Sequence, residues 1–160
     1  MLYLLIAAGV VLLETKVKDY IEDHKEFGKQ QEILNGKIIV KKHYNRGMML
    51  NFLEDKKEMV KTITGIFLGL LLLLFTVALP KKGNKLYKLG LALCVGGAIS
   101  NVSDRFNRGY VVDYFSFNYK KLKNIVFNLA DMFILLGSFL IFISSVFFTK
   151  GKSSSDETAE

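Results

Sequence analysis

The sequence predicts an all-α polytopic membrane protein: four transmembrane helices carrying a small extracytoplasmic β-hairpin or cradle and a surface helix. Three observations carry this. Apolar residues make up 51% of the 160 residues and charged residues 23%, yet the two classes are segregated into alternating blocks. One uncharged block, TITGIFLGLLLLLFTVAL at 62–79, spans about 27 Å as a helix, close to the roughly 30 Å hydrocarbon core. An Asn35-Gly36 pair lies between two apolar runs in EILNGKIIV. Both residues tolerate positive φ, which makes this pair the strongest short-range hairpin signal.

The elements follow in order. Residues 1–13, MLYLLIAAGVVLL, are too short to cross alone. They cross if the helix continues through Glu14, Thr15, Lys16, Val17 and Lys18, with the lysine stems snorkelling to the interface. An uncleaved first span of about 1–18 is preferred to a secretory signal peptide, because no positive segment precedes the run and no small-x-small site follows it. The loop 19–61 holds the hairpin. Its end, MMLNFLEDKKEMV at 48–60, puts Met48, Met49, Phe52, Leu53 and Met59 roughly on one helical face, as in a helix lying on a membrane. Spans two and three are about 62–79 and 86–102. The third carries Gly90, Gly96 and Gly97, which let helices approach closely. A second outer loop, 103–124, leads to a fourth span of about 125–148, apolar except for Asn128, Asp131 and small hydroxyls. Residues 1–150 form one domain and 151–160 a disordered cytoplasmic tail. Lys81, Lys82 and Lys85 in the short connector, with Lys150 and Lys152, place both termini in the cytoplasm and the outer loops outside. Arg105, Arg108, Lys120, Lys121 and Lys123 in the second outer loop weigh against that orientation.

Several chemistries are excluded. The net charge of +7 sits in these loops, and no nucleic-acid motif accompanies it. A single cysteine, Cys94, rules out an intramolecular disulfide and a Cys-based zinc site. Two histidines, His24 and His43, leave little for a metal, and neither HExxH nor GxSxG occurs. No cofactor and no metal are expected. Ser100, Cys94 and the Gly96-Gly97 pair read as packing. Lys88, weighed as a base for Ser100, lies at the other end of its span.

Three acids stand apart. Asp131, in FNLADMFILLG, begins the fourth span, and a carboxylate in hydrocarbon is costly enough to be a functional candidate by default. Asp113, in GYVVDYFSF, has apolar neighbours that raise a carboxyl pKa by desolvation; its other reading is a solvent-facing residue at a strand end. Asp104 is followed by Arg105 and reads as structural, ordering the loop after the third span. A carboxylate pair needs its members within a few ångströms, one protonated and one ionised. On one helix Asp113 and Asp131 would lie about 27 Å apart. The polar, turn-like NYKKLKN at 118–124 lets the chain leave and re-enter the membrane face. Spacing alone leaves both Asp113/Asp131 and Asp104/Asp131 open.

GGAISNVSDRFNRGYVVDYFSF followed by FNLADMFILLG resembles the lipoprotein signal peptidase family, also called signal peptidase II. The family pattern is Gly-Gly, Asn-x-x-Asp-Arg, Gly-x-Val-x-Asp-Phe, then Phe-Asn-x-Ala-Asp-x-x-Ile. Asn101, Asp104, Arg105, Gly109, Val111, Asp113, Phe127, Asn128, Ala130, Asp131 and Ile134 fill it, with Tyr114 in place of Phe. The amino-terminal half diverges. Glu14-Thr15-Lys16-Val17-Lys18 stands where the family has Asp-Gln-x-x-Lys. Asn45 and Gly47 are kept from a box whose small and aromatic positions are lost at Met48, Met49, Leu50 and Asn51.

The resemblance implies an aspartic intramembrane endopeptidase of the bacterial cytoplasmic (inner) membrane. It would remove the signal peptide of diacylglyceryl-modified prolipoproteins, cutting before the lipidated cysteine. It selects Asp113 and Asp131 as the catalytic pair, with the site near the outer face. One aspartate would act as general base on water while the other, protonated, donates to the scissile carbonyl. Asn45, Asn101, Asp104, Arg105 and Asn128 are expected to bind substrate or support the acids. Expected partners are the prolipoprotein and membrane lipid, not nucleic acid, with the chain a monomer. The competing reading is a catalytically altered paralogue that binds lipoproteins, or a small proton-coupled membrane protein needing Asp131 but not Asp113.

Overall fold

A computed structural model describes the backbone of residues 1–47 and 53–156 and the side chains of 1–47 and 53–147. The order is α1 (Leu2–His24), β1 (Gln30–Ile33), β2 (Ile38–Asn45), α2 (Lys57–Ala78), α3 (Lys85–Asn107), β3 (Val111–Phe117), a 3-10 helix (Lys120–Asn124) and α4 (Leu129–Asp156). Among the described residues, three helical stretches are long and apolar enough to cross a membrane: Lys57–Ala78, Lys85–Asn107 and Leu129–Phe147. In α1, Glu14, Lys16, Lys18 and Asp19 interrupt the apolar run.

α3 is the central helix. Of its apolar stretch 61% is buried within the protein, against 11% for α2 and 17% for α4. Its glycines explain how neighbours reach it. A Cβ on Gly96 would lie 2.7 Å from Val10 Cβ, so α1 packs on that face. A Cβ on Gly90 would lie 2.6 Å from the Gly137 carbonyl, and one on Gly97 2.6 Å from the Ala130 carbonyl, so α4 packs on the other. These are backbone-to-backbone approaches that only a missing side chain permits. Gly90→Ala is expected to push α4 away and cost about 1–3 kcal/mol, the usual range for overpacking. Thermal unfolding in detergent checks this, and an unchanged midpoint would contradict the packing.

At the end of the bundle near the start of α4 lies a three-stranded antiparallel sheet of order β1-β2-β3. The hairpin forms where Asn35-Gly36 predicts it. Ile33 pairs with Ile38, the Lys37 N–H donates to the Leu34 carbonyl, and Asn35 and Gly36 have φ of +56° and +77°. The sequence predicted two strands; β3 adds a third on the far side of β2, pairing Asn45 with Val111 and His43 with Asp113. Val111, Val112 and Tyr114 are buried, as suits β-branched and aromatic residues in a strand covered on both faces.

Other boundaries shift. α1 runs past residue 18 to His24, with Ile21 buried against Val112 and Tyr114. Of the surface helix predicted over 48–60, residues 48–52 lie outside the described residues, 53–55 form a turn, and 57–60 open α2. α4 starts at Leu129 rather than 125, because Phe127 is drawn into an isolated bridge with Phe115. It continues to Asp156, beyond the predicted start of a disordered tail at 151. Extending a formed helix adds a hydrogen bond per residue without a new nucleus. Residues 157–160 lie outside the described residues.

Candidate active site

Asp113 comes from β3 and is 1% exposed; Asp131 comes from the first turn of α4. Asn128, fully buried just before α4, joins them. Its side-chain oxygen accepts from the Asp131 N–H (2.9 Å), and its own N–H donates to Asp131 Oδ2 (3.2 Å). This reciprocal pairing is the geometry of a helix-capping box, and it fixes which way the Asn128 amide faces. Its Nδ2 is thereby turned to Asp113 Oδ1 at 2.6 Å and Asn101 Oδ1 at 3.2 Å.

The remaining carboxylate oxygens are also met. Asn45 Nδ2 donates to Asp113 Oδ2 (3.0 Å), and Asn101 Nδ2 donates to Asp131 Oδ1 (2.8 Å). The predicted acids and all three predicted asparagines therefore converge, drawn from β2, α3, β3 and the start of α4. Burial, and then the charge of nearby Asp131, push the Asp113 carboxyl up to about 7. A buried pair of this kind can hold one proton while leaving the other carboxylate ionised.

Arg105 lies at the same place and bonds backbone carbonyls rather than its sequence neighbour Asp104. Its guanidinium donates to the Asn101 carbonyl (3.3 Å) and the Gly47 carbonyl (3.1 Å), and its buried Nε has no hydrogen-bond partner among the described residues. Asp104 instead takes Arg108 Nε (3.2 Å), Lys18 Nζ (2.9 Å) and the Val112 N–H (3.2 Å). On a helix, adjacent side chains diverge whereas i and i+4 meet, so Arg108 wins over Arg105. The bond to Val112 ties the end of α3 to β3, which is the loop-ordering role expected of Asp104.

Sequence reasoning missed what α1 contributes. Lys18 is 1% exposed and reaches across to α3, donating to Ser100 Oγ (3.2 Å) and Asn101 Oδ1 (2.9 Å) besides Asp104. Ser100 thus does have a lysine beside it, but one committed to a carboxylate. Glu14, fully buried, accepts from the Tyr114 hydroxyl (2.9 Å). The available signal was an acid and a lysine spaced i, i+4 at the end of an apolar run, a place where ionisable residues are expensive.

Two cavities open beside the acids. One of about 230 Å³ is lined by Asn45, Arg105, Phe127, Asp131 and Leu135 among others. A more apolar groove of about 330 Å³ runs between α2, α3 and α4, past Phe67, Leu71, Asn101, Arg105 and Ile134. Arg105 and Ile134 line both. Among the described residues no three His, Cys, Asp or Glu side chains converge as a metal site would require.

Known proteins resemble this chain in sequence and in fold. A lipoprotein signal peptidase from Clostridium tetani (strain Massachusetts / E88) is 37% identical over 100 residues, which span 62% of this chain and 63% of that protein. Two solved bacterial membrane enzyme structures, each 28% identical, superpose with TM-scores of 0.82 and 0.76. They cover 94% and 89% of this chain and 90% of each of their own. The family model for signal peptidase (SPase) II matches residues 6–147, a stretch running from α1 through every element that supplies the site. With several apolar helices and a match of that extent, this multi-pass membrane protein belongs to the signal peptidase II family.

Proposed function

We propose that the protein is an aspartic-type lipoprotein signal peptidase that cuts diacylglyceryl-modified prolipoproteins before the lipidated cysteine, with Asp113 and Asp131 as its catalytic pair. The observation that carries this is the two buried acids joined through Asn128 beside an apolar cavity. One carboxylate takes a proton from the attacking water. The other donates to the scissile carbonyl as it becomes tetrahedral, and the roles reverse as the amine leaves. The apolar walls supplied by Phe127, Ile134 and Leu135 keep bulk water from competing for the acids. Asn45 and Arg105, on the cavity wall, are placed to hold substrate carbonyls.

The substrate's two acyl chains remain in the bilayer and contribute about 0.8 kcal/mol per buried methylene. α1 serves as the fourth span. Its exposed Leu4, Leu5 and Leu12 face lipid, while Glu14 and Lys18 are shielded by α3 and β3. Both termini are cytoplasmic in this reading, the sheet lies at the outer face of the inner membrane, and one chain suffices. The test is a gel shift of purified diacylglyceryl-prolipoprotein incubated with wild type in detergent. Cleavage supports the reading; folded protein that cuts none of several lipidated substrates overturns it.

The pH dependence has a definite sign. Asp113 keeps its proton up to about 7 in the fold, against 3.8 for an ordinary aspartyl side chain. The pair's single proton is therefore present below neutrality and lost as pH rises. Cleavage should fall through an apparent pKa near 7 on the alkaline side. The same raised value means that Asp113's contribution to stability is complete below 3.8 and is lost as pH rises through about 7. Rates constant from pH 5 to pH 9 would contradict the assignment.

A further inference from the structure

Tyr114 follows Asp113 in β3, and its side chain points away from the acid pair. Its hydroxyl nevertheless reaches two other elements at once. It donates to Glu14 Oε2 of α1 at 2.9 Å and accepts the Leu129 N–H, the first of α4, at 3.0 Å. All three groups lie in the interior: Glu14 is 0% exposed and Tyr114 6%. Burial, and then the neighbouring Glu14 carboxylate, raise the Tyr114 hydroxyl pKa, so it remains a donor throughout the working pH range. The first N–H groups of a helix have no partner within it, and at the start of α4 this one is met by a side chain rather than by water.

We propose that Glu14 and Tyr114 form a positioning strut that fixes the start of α4, and with it the distance of Asp131 from Asp113. Three links on the structure converge on this role. Asp131 lies two residues beyond Leu129, in the same helical turn, and is tied to Asn128 by the capping pair. Asp113 lies one residue before Tyr114 on the same strand. Backbone bonds from Tyr114 and Phe115 to the Phe127 carbonyl, 2.9 Å and 3.0 Å, join β3 to the approach of α4 on the residue before Asn128. The hydroxyl of Tyr114 adds a bond beyond residue 128, to the helix itself, and Glu14 links it to α1, which packs closely on Gly96. Both residues depart from the family pattern noted above, Glu for Asp and Tyr for Phe, and here the two departures touch.

Neither residue is placed to touch substrate, so they act through the acids; the kinetic arm rests on the peptidase reading, while a second arm does not. Tyr114→Phe keeps the ring and removes only the hydroxyl. It should lower kcat by between about 10-fold and about 100-fold, the range that a misplacement of about 1 Å produces, with KM unchanged. Glu14→Leu should do the same, and the double variant should lose no more than the worse single one. Glu14→Gln keeps an acceptor for the hydroxyl and should retain most of the rate. Hydrogen exchange of the peptide covering the start of α4 should be faster in Tyr114→Phe and Glu14→Leu than in wild type, in the same detergent. Losses that multiply in the double variant, or wild-type kcat in Tyr114→Phe or Glu14→Leu, overturn the proposal. If wild type itself fails to cut, the peptidase reading is lost, and unchanged exchange at the start of α4 then overturns the strut separately. Should Tyr114→Phe not fold, the contrast between Glu14→Gln and Glu14→Leu decides: equal rates overturn the strut, and a deficit confined to Glu14→Leu supports it.

Discussion

Asp113→Asn and Asp131→Asn are each expected to abolish prolipoprotein cleavage in a detergent gel-shift assay, with the fold checked separately by thermal unfolding. The expected loss is about two to four orders of magnitude for each, the worth of a positioned general acid or base. The substitution is nearly isosteric. Asp113 is held by donors from Asn45 and Asn128, and Asp131 by donors from Asn101 and the Asn128 backbone, so an amide keeps one of these bonds through its oxygen while its NH2 faces the other donor, and a neighbouring amide must turn to accept it. What an amide cannot do is exchange a proton with water or a carbonyl. Losses from the two single variants should not multiply, because the acids work as one unit. A proton-coupled transporter would behave differently, tolerating Asp113→Asn. If Asp104→Asn abolishes cleavage while Asp113→Asn does not, the pair has been misassigned.

Lys18→Met has the largest expected effect on stability. The Lys18 ammonium is enclosed by Glu14 Oε1 at 3.8 Å and Asp104 Oδ2 at 2.9 Å, with side-chain exposures of 1% for the lysine and 0% and 9% for the acids. Removing one partner of a buried ion pair costs about 3–5 kcal/mol; here Glu14 loses its cation, while Asp104 keeps only Arg108 as a cation among the described residues. The thermal midpoint should fall by on the order of 10 °C. Activity should fall as well, because Lys18 helps hold Asn101 with its Nδ2 toward Asp131. Adding Glu14→Gln to Lys18→Met should recover part of the stability by neutralising a stranded carboxylate. A midpoint within about 2 °C of wild type would show that the lysine is dispensable to the fold.

The legible parts of the fold were those encoded locally. The uncharged run 62–79 became most of α2, and Asn35-Gly36 became the turn between β1 and β2. Small residues in the third span became the contact surface of α3 with α1 and α4. Asp113, Asn128 and Asp131 were visible as polar groups in apolar surroundings, whereas Asn45, Asn101 and the choice of Asp113 over Asp104 came only from the family resemblance. The rest depended on pairs far apart in the chain. Nothing near residue 18 indicates that its ammonium will meet Asn101 and Asp104, and nothing near Glu14 points to Tyr114. The pairing of Asp104 with Arg108, one helical turn on, was not specified by the motif, although helix geometry favours it. β3 docks onto β2 by joining residues such as Asn45 and Val111 across α2 and α3, which no local pattern specifies.

The way Asn128 links the acids has a consequence for biogenesis. The groups converging there come from α1, β2, α3, β3 and α4, so the constellation is complete only after the final helix has been made. Chains emerge from the amino terminus at about 5–20 residues per second, so Asp113 precedes Asp131 by on the order of one to four seconds. During that interval Asp113 has its Asn45 donor but neither Asn128 nor a second acid. On the proposed assignment of the acid pair, a growing chain therefore lacks its second acid until α4 closes against Gly90 and Gly97.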